Sequence, residues 1–479
     1  MIKTKMIATV GPASRDVATL RSLIEANVDG FRLNFSHGTP QEHEQSLANI
    51  REACRGTGAV VAVMGDLCGP KMRVGAIAGG QCRLVEGATI AIQREPVEGT
   101  AERISTNYPP LIDGLRLGAR VLLDDGLLGL RVVAKSADAV TCRVEVGGVL
   151  MSHKGVHLPD TELSAPTLIE KDRRDLAWAV ERELDYIALS FVRRPDDVVR
   201  LRRLLADAGG RMRIVSKIET PQAIERLEGI IEESDVVLVA RGDLGVTLDV
   251  ARVPLLQKDI TRRCQRAGKP VIVATQMLQS MVDSPAPTRA EVSDVANAIL
   301  DGADAVMLSA ETAVGRHPVE ALRMLNRIAE QTEAYLDRAD VPTPPAAPAP
   351  RLAPAAAVAH GVALLARSLK ARVVAVWAVT GELAQQLSKQ RLPQPVVAFC
   401  EDARAARRTV LFYGVHPVVI PRPHNPHALL RAVDRQLLDQ GWAGAGELAI
   451  VVARPELDPA AATHTIQIHS LADLAGERG

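Results

Sequence analysis

Eight short apolar runs recur along the first two thirds of this chain, at residues 6–10, 31–36, 59–64, 186–189, 213–216, 236–240, 270–274 and 305–308, and most stop at polar or charged side chains. They are rich in β-branched residues and mostly continuous, the pattern of strands buried on both faces of a parallel sheet. Between them lie segments of helical length with their own start signals. Ser14 can cap a helix to about residue 25. Thr39-Pro40-Gln41-Glu42 combines a capping box with proline at the first helical position. Thr167-Leu168-Ile169-Glu170 opens a helix to about residue 183, and Thr288-Arg289-Ala290-Glu291 opens one that Gly302 ends. Eight strands alternating with helices predict an α/β fold, a (β/α)8 TIM barrel whose chemistry sits at the carboxyl ends of its strands.

The alternation breaks once. From about residue 74 the pattern turns glycine-rich, with short strands such as 120–123 before Asp124-Asp125-Gly126 and 139–146 before Gly147-Gly148, and no helical period. This predicts a small β-barrel domain at 74–154, inserted after the third strand and dividing the barrel into 1–73 and 155–339. Residues 340–354 are rich in proline and alanine and read as a stiff linker. Beyond it, a helix from about residue 355 and apolar strands at 373–377 and 448–452 predict a separate C-terminal α/β domain at 355–479, suited to effector binding or oligomerisation.

The barrel face that carries chemistry is most explicit in two stretches, Ser216-Lys217-Ile218-Glu219-Thr220 and Val239-Ala240-Arg241-Gly242-Asp243-Leu244-Gly245. Lys217 and Glu219 lie two residues apart at a strand end, so both side chains leave on one face. Asp243 ends the next strand. A lysine between two carboxylates can hold a divalent hard cation on oxygen beside a fixed positive charge, which suits transfer of an anionic group. The competing reading is an ordinary surface salt bridge. Arg32, Asn34 and Ser36 alternate with Leu33 and Phe35, and period two sends the three polar groups to one side.

Composition narrows the function classes. With 479 residues, 47% of them hydrophobic, the chain can bury several cores. A formal net charge of zero gives no electrostatic reason to expect nucleic acid or an anionic membrane as partner, and 3% aromatics disfavour base-stacking surfaces. The six cysteines have no metal-ligand spacing and read as reduced thiols, mostly core fillers. No apolar stretch approaches a membrane span, and the first residues lead into a strand without a signal-peptide core, so a cytoplasmic location is expected.

The motifs together identify a family. Phe31-Arg32-Leu33-Asn34-Phe35-Ser36-His37-Gly38, Gly65-Asp66 with Gly69-Pro70-Lys71-Met72-Arg73, Ser216-Lys217-Ile218-Glu219, Ala240-Arg241-Gly242-Asp243-Leu244-Gly245, Ala274-Thr275-Gln276-Met277-Leu278 and Thr288-Arg289-Ala290-Glu291 closely resemble those of pyruvate kinase, in the family's order and over almost the whole chain. The resemblance implies phosphoryl transfer from phosphoenolpyruvate to ADP, giving pyruvate and ATP, the last step of glycolysis. It implies that Glu219 and Asp243 bind Mg2+ or Mn2+. Lys217 and Arg32 would neutralise the phosphoryl group, Gly242 and Asp243 would take the substrate carboxylate on backbone N–H groups, and Thr275 would help a proton reach the enolate. Asn34, His37, Arg73 and Lys154 match nucleotide-contacting positions, which makes the insert a lid that excludes water. A homotetramer is also implied.

Three departures qualify the resemblance. Lys71 stands where potassium-dependent members usually carry glutamate, so activity without K+ is expected; Asn34, Ser36, Asp66 and the Leu67 carbonyl still match monovalent-ion ligands. The effector loop is altered: Val379-Thr380-Gly381-Glu382 keeps one hydroxyl beside a carboxylate, and 454–463 has no glycine, which argues against activation by fructose bisphosphate. Cys68, two residues after Asp66, is either an inert filler or an oxidisable position. Ser309 and Glu311 read as buttresses of the site, and Met277 and Met281 as packing. A phosphoenolpyruvate or oxaloacetate lyase would have no use for Arg73 and Lys154 on a nucleotide lid. An inactive regulatory paralogue would be expected to have lost one of Lys217, Glu219, Asp243 or Thr275, and all four are present.

Overall fold

The computed structural model describes residues 2–161, 166–338, 354–453 and 464–472; the expected linker and the glycine-free stretch 454–463 lie outside the described residues. Eight parallel strands close into a ring in chain order: β1 (Lys5–Val10), β2 (Gly30–Asn34), β3 (Ala62–Asp66), β4 (Tyr186–Leu189), β5 (Arg213–Ile218), β6 (Val236–Ala240), β7 (Val271–Ala274) and β8 (Ala305–Leu308). The continuous apolar runs are buried on both faces. One core lies between the strands and the outer helices, and a second fills the ring with Met64, Tyr186, Leu238, Ile272 and Met307 among others.

Two helix starts follow the sequence reading closely. Thr39 caps Pro40–Thr57 and Thr288 caps Arg289–Leu300, each with the reciprocal glutamate bond of a capping box. Two others are corrected. Asp16 replaces Ser14 as the cap of Val17–Glu25, its carboxylate accepting from the Thr19 N–H at 2.9 Å. The helix Glu170–Glu181 starts from Ile169 and not Thr167, because Asp172 accepts from the Ile169 N–H at 2.9 Å and also from Gly69 at 3.1 Å. A buried carboxylate with two backbone donors outweighs a threonine cap two residues earlier.

Between β3 and β4 stand a six-stranded sheet and a two-stranded ribbon around one core, a separate β domain whose ladders do not close into a ring among the described residues. Its short α-helix, Leu111–Gly114, and a 3-10 turn at Ala78–Gly80 fall where no helical period is visible. The C-terminal domain carries a five-stranded sheet. It docks on the amino-terminal end of the barrel: Val410 and Leu411 complete the barrel's inner core, and the Tyr186 hydroxyl donates to the Arg408 carbonyl at 2.8 Å. Gly30 gives a close fit there: a Cβ would come within 3.2 Å of Leu411, whose side chain would have to shift by a few tenths of an ångström. The opposite, carboxyl end is left free for chemistry.

No helix among the described residues is long and apolar enough to cross a membrane. All six cysteines are free, and burial pushes the thiols of Cys142, Cys264 and Cys400 up to about 12, which makes them poor nucleophiles. In the C-terminal domain His416 packs against Trp442, ring centroids 4.8 Å apart, and burial, with Lys5 adding to it, takes its imidazole down to about 2. Below the ordinary value of 6.5 the unfolded chain therefore binds a proton that the folded chain refuses. The His416 contribution to stability is complete above pH 6.5 and falls as the pH drops, by at most about 1.4 kcal/mol per unit. His416→Gln is expected to flatten the dependence of the urea midpoint on pH between neutral and acid buffer. An acid limb as steep as the parent's would show that His416 does not set it.

Candidate active site

The strand ends bring the predicted residues into one mouth. Arg32 on β2 and Asp66 on β3 stand side by side, the guanidinium donating from Nε at 2.8 Å and lying 2.6 Å from the same carboxylate through Nη2, with Thr9 Oγ1 at 3.1 Å on its other side. Lys217 on β5 donates to Ser190 Oγ at 2.7 Å and meets Glu219 at 2.8 Å and Asp66 at 3.4 Å. Lys217 and Glu219 are not a surface pair: their side chains are 12% and 2% exposed. A cavity of about 100 Å3 is lined by Arg32, Lys71, Lys217, Glu219, Asp243 and Thr275. The same Glu219 and Asp243 border a larger cleft of about 330 Å3, lined on its other side by Asp124 and Lys154 of the insert and by Arg73 at its edge.

Charges in this mouth are mutually held. Burial opposes the Lys217 ammonium, but Asp66 and Glu219 outweigh it and keep the amine protonated well above the usual lysine range. Burial would likewise raise Asp66; Lys217 and Arg32 reverse that and hold its carboxyl below the carboxylate range. Glu219 goes the other way. Burial, with Asp243 adding to it, pushes its carboxyl up against the pull of Lys217. Asp243 adds its charge to the burial that raises Glu219, and two carboxylates facing one cleft make a donor set that a divalent hard cation relieves.

Two residues that the sequence reading passed over organise this cluster. Ser190 accepts from Lys217, donates to the Leu67 carbonyl at 2.8 Å and lies 3.4 Å from Asp66. Phe191 presents its backbone N–H to Glu219 at 2.8 Å. It does so at a φ of +55°, a left-handed conformation that costs a non-glycine residue about 1–3 kcal/mol. Gly69 makes room for that ring: a Cβ there would sit 2.8 Å from Phe191. The signal was positional, since both residues directly follow β4 as the other site residues follow their strands.

The remaining candidates fall as follows. Thr275 accepts from the Gly242 N–H at 2.7 Å and donates to the Ala274 carbonyl at 2.6 Å. Gly242 and Asp243 lie in a short helical turn, Arg241–Thr247. His37 is partly buried, and burial, then Lys71, Arg73 and Arg32, lowers its imidazole. The Arg73 guanidinium donates to the His153 carbonyl at 2.8 Å, and Lys154 pairs with Asp124 at 2.9 Å. Asn34 turns its amide oxygen to the Ser36 N–H at 3.1 Å, so of the four monovalent-ion candidates Asn34, Asp66 and the Leu67 carbonyl are already engaged within the chain. Glu311, 1% exposed, takes the N–H groups of Leu278 and Ser309, which makes it the buttress of the loops after β7 and β8. Met277 and Met281 are fully buried. Val379–Glu382 line a small pocket with Trp377 and His464.

Residues 1–322 match the family model for the pyruvate kinase barrel domain and residues 356–469 that for the pyruvate kinase alpha/beta domain. The chain belongs to the pyruvate kinase family. It is 40% identical to the pyruvate kinase of Geobacillus stearothermophilus over 98% of this chain and 81% of that one, and 38% identical to the enzyme of Mycobacterium tuberculosis over 98% of each. A crystal structure of a pyruvate kinase from Cryptosporidium parvum superposes with a TM-score of 0.91 at 32% identity, covering 98% of this chain and 96% of its own. The pyruvate kinase barrel match spans all eight strands and the insert, so every residue of the mouth described above lies within it.

Proposed function

We infer that this chain transfers the phosphoryl group of phosphoenolpyruvate to ADP, giving pyruvate and ATP, with Lys217, Arg32 and Thr275 as its catalytic residues. The observation that carries this reading is the cluster of Lys217 with Glu219, Asp66 and Arg32 in one cavity with Asp243 and Thr275, a fixed array of charges aimed where a triply anionic group would sit. Glu219 and Asp243 would hold Mg2+ or Mn2+, which would neutralise charge on the substrate's oxygens. The raised Glu219 carboxyl, with Asp243 beside it in a part-buried mouth, fits that group.

Arg32 is pinned by Asp66 and Thr9, so its remaining donors face the cavity already oriented for phosphate oxygens. Lys217 supplies positive charge to the phosphoryl group in flight and to the enolate left when the phosphorus–oxygen bond breaks. Asp243 offers its backbone N–H to the substrate carboxylate, while the expected Gly242 donor is already given to the Thr275 hydroxyl. Thr275 stands by the methylene carbon that must gain a proton when the enolate becomes pyruvate, and orients that proton's source. Arg73 and Lys154 line the cleft under the insert and receive the nucleotide with Asn34 and His37; closing the insert there keeps water from the phosphoryl group.

Lys71 lines both the small cavity and the larger cleft. Its ammonium supplies charge that a bound K+ would give, and the engagement of Asn34, Asp66 and the Leu67 carbonyl within the chain supports the same conclusion. Pyruvate formation with Mg2+ is expected at comparable rates in buffer free of sodium and potassium and in buffer with potassium added. Activity only with potassium would overturn the role of Lys71 and leave the reaction standing; no activity in either buffer, with folded protein, would overturn the reaction. The reading extends to a cytoplasmic homotetramer that fructose bisphosphate does not activate.

A further inference from the structure

Immediately after β7 the backbone takes two consecutive left-handed residues, Thr275 at φ +69° and Gln276 at φ +54°. A β-branched residue does not adopt that conformation unless its surroundings impose it. What imposes it here is Arg241, only 8% exposed, one residue before Gly242. Its Nη2 donates to the Thr275 carbonyl at 2.8 Å and the Gln276 carbonyl at 3.3 Å, and lies 2.9 Å from the Met277 sulfur. Nη1 is anchored on Asp294 at 2.6–2.7 Å and on Gln257 at 3.4 Å. The next residue, Gly242, gives its N–H to the Thr275 hydroxyl. One dipeptide therefore grips Thr275 from both sides, its carbonyl and its hydroxyl. With its own proton on the Ala274 carbonyl and one lone pair on Gly242, the hydroxyl has a single acceptor direction left.

We propose that Arg241 is a positioning residue for the proton step: by holding the carbonyls of Thr275 and Gln276 it keeps the strained turn that directs the one free lone pair of the Thr275 hydroxyl into the cavity, where it orients the water that delivers a solvent proton to the substrate's methylene carbon. This rests on the reading of Thr275 given above. Arg241 itself stays behind the turn, tied to Asp294 and Gln257.

The test is a double-mutant cycle with two readouts: kcat for pyruvate formation, and exchange of pyruvate methyl protons with deuterated solvent in the presence of Mg2+ and ATP, read by NMR. Arg241→Gln is expected to lower both by about 10–10²-fold with KM for phosphoenolpyruvate and ADP nearly unchanged. In a Thr275→Ala background the same change should cost almost nothing more, because there is no hydroxyl left to aim. Arg241→Lys, which keeps one donor, should recover part of the exchange rate. Where Arg241→Gln does not fold, Asp294→Asn loosens the same guanidinium from a side chain 42% exposed, and a smaller loss with the same non-additivity is expected. Independent, multiplying losses, or exchange unchanged in the Arg241 and Asp294 variants while Thr275→Ala loses it, would overturn the role of Arg241 and leave that of Thr275. Undiminished exchange in Thr275→Ala would overturn the Thr275 reading and this proposal with it.

Discussion

Lys217→Met is expected to lower kcat by about 10³–10⁵-fold, the range seen when a positive charge that stabilises a phosphoryl transition state is removed. Three features make the loss large. The ammonium is nearly buried, so no water takes its place cheaply. Glu219 and Asp66 hold it charged, and Ser190 fixes its direction with a 2.7 Å bond. Removing it also leaves two carboxylates without their shared counter-charge, so substrate binding should weaken as well. Steady-state kinetics with far-UV circular dichroism as a folding control decides the matter. A folded variant that keeps kcat within tenfold would reduce Lys217 to a structural ion pair.

The second large effect is on stability and lies at the other end of the barrel. Asp304, fully buried just before β8, takes the Lys389 ammonium at 2.5 Å, the Arg391 guanidinium at 3.2 Å and the Val271 N–H at 2.7 Å. Lys389 and Arg391 come from the C-terminal domain, and Arg391 also stacks on Tyr413, 3.8 Å from the ring centroid. Deleting one partner of a buried pair strands the other, which costs about 3–5 kcal/mol. Lys389→Met should therefore lower the urea midpoint steeply while kcat, governed by residues at the opposite mouth, changes little. A midpoint within experimental error of the parent's would show that Arg391 and the backbone alone satisfy Asp304. Loss of kcat in the folded variant would instead reveal that docking of the C-terminal domain reaches the mouth through the strands.

Much of this molecule was legible beforehand because barrel strands advertise themselves. A strand buried on both faces is mostly apolar, so polar residues in its carboxyl half or just beyond it, such as Arg32, Lys217 and Asp243, mark the side on which chemistry occurs. Lys217 and Glu219 could be assigned to one face from period two alone. Capping boxes were readable where threonine and glutamate pair locally, at Thr39 and Thr288. The start at Asp172 was not, because that carboxylate is chosen by Gly69, which is 103 positions away in the chain.

Left-handed backbone at Phe191, Thr275 and Gln276 was equally silent, since none of these residue types announces a positive φ. Arg241 appeared in a motif without a task of its own. What it holds, two carbonyls after the following strand, exists only once β6 and β7 lie side by side. The sequence by itself determined the barrel, the inserted β domain and the list of charged strand ends, because burial and strand period act locally and leave their mark on residue type. The tertiary structure alone decided how those charges are shared among Arg32, Asp66, Lys217 and Glu219, and which backbone turns are held under strain. Both depend on distances between strands that no local pattern encodes.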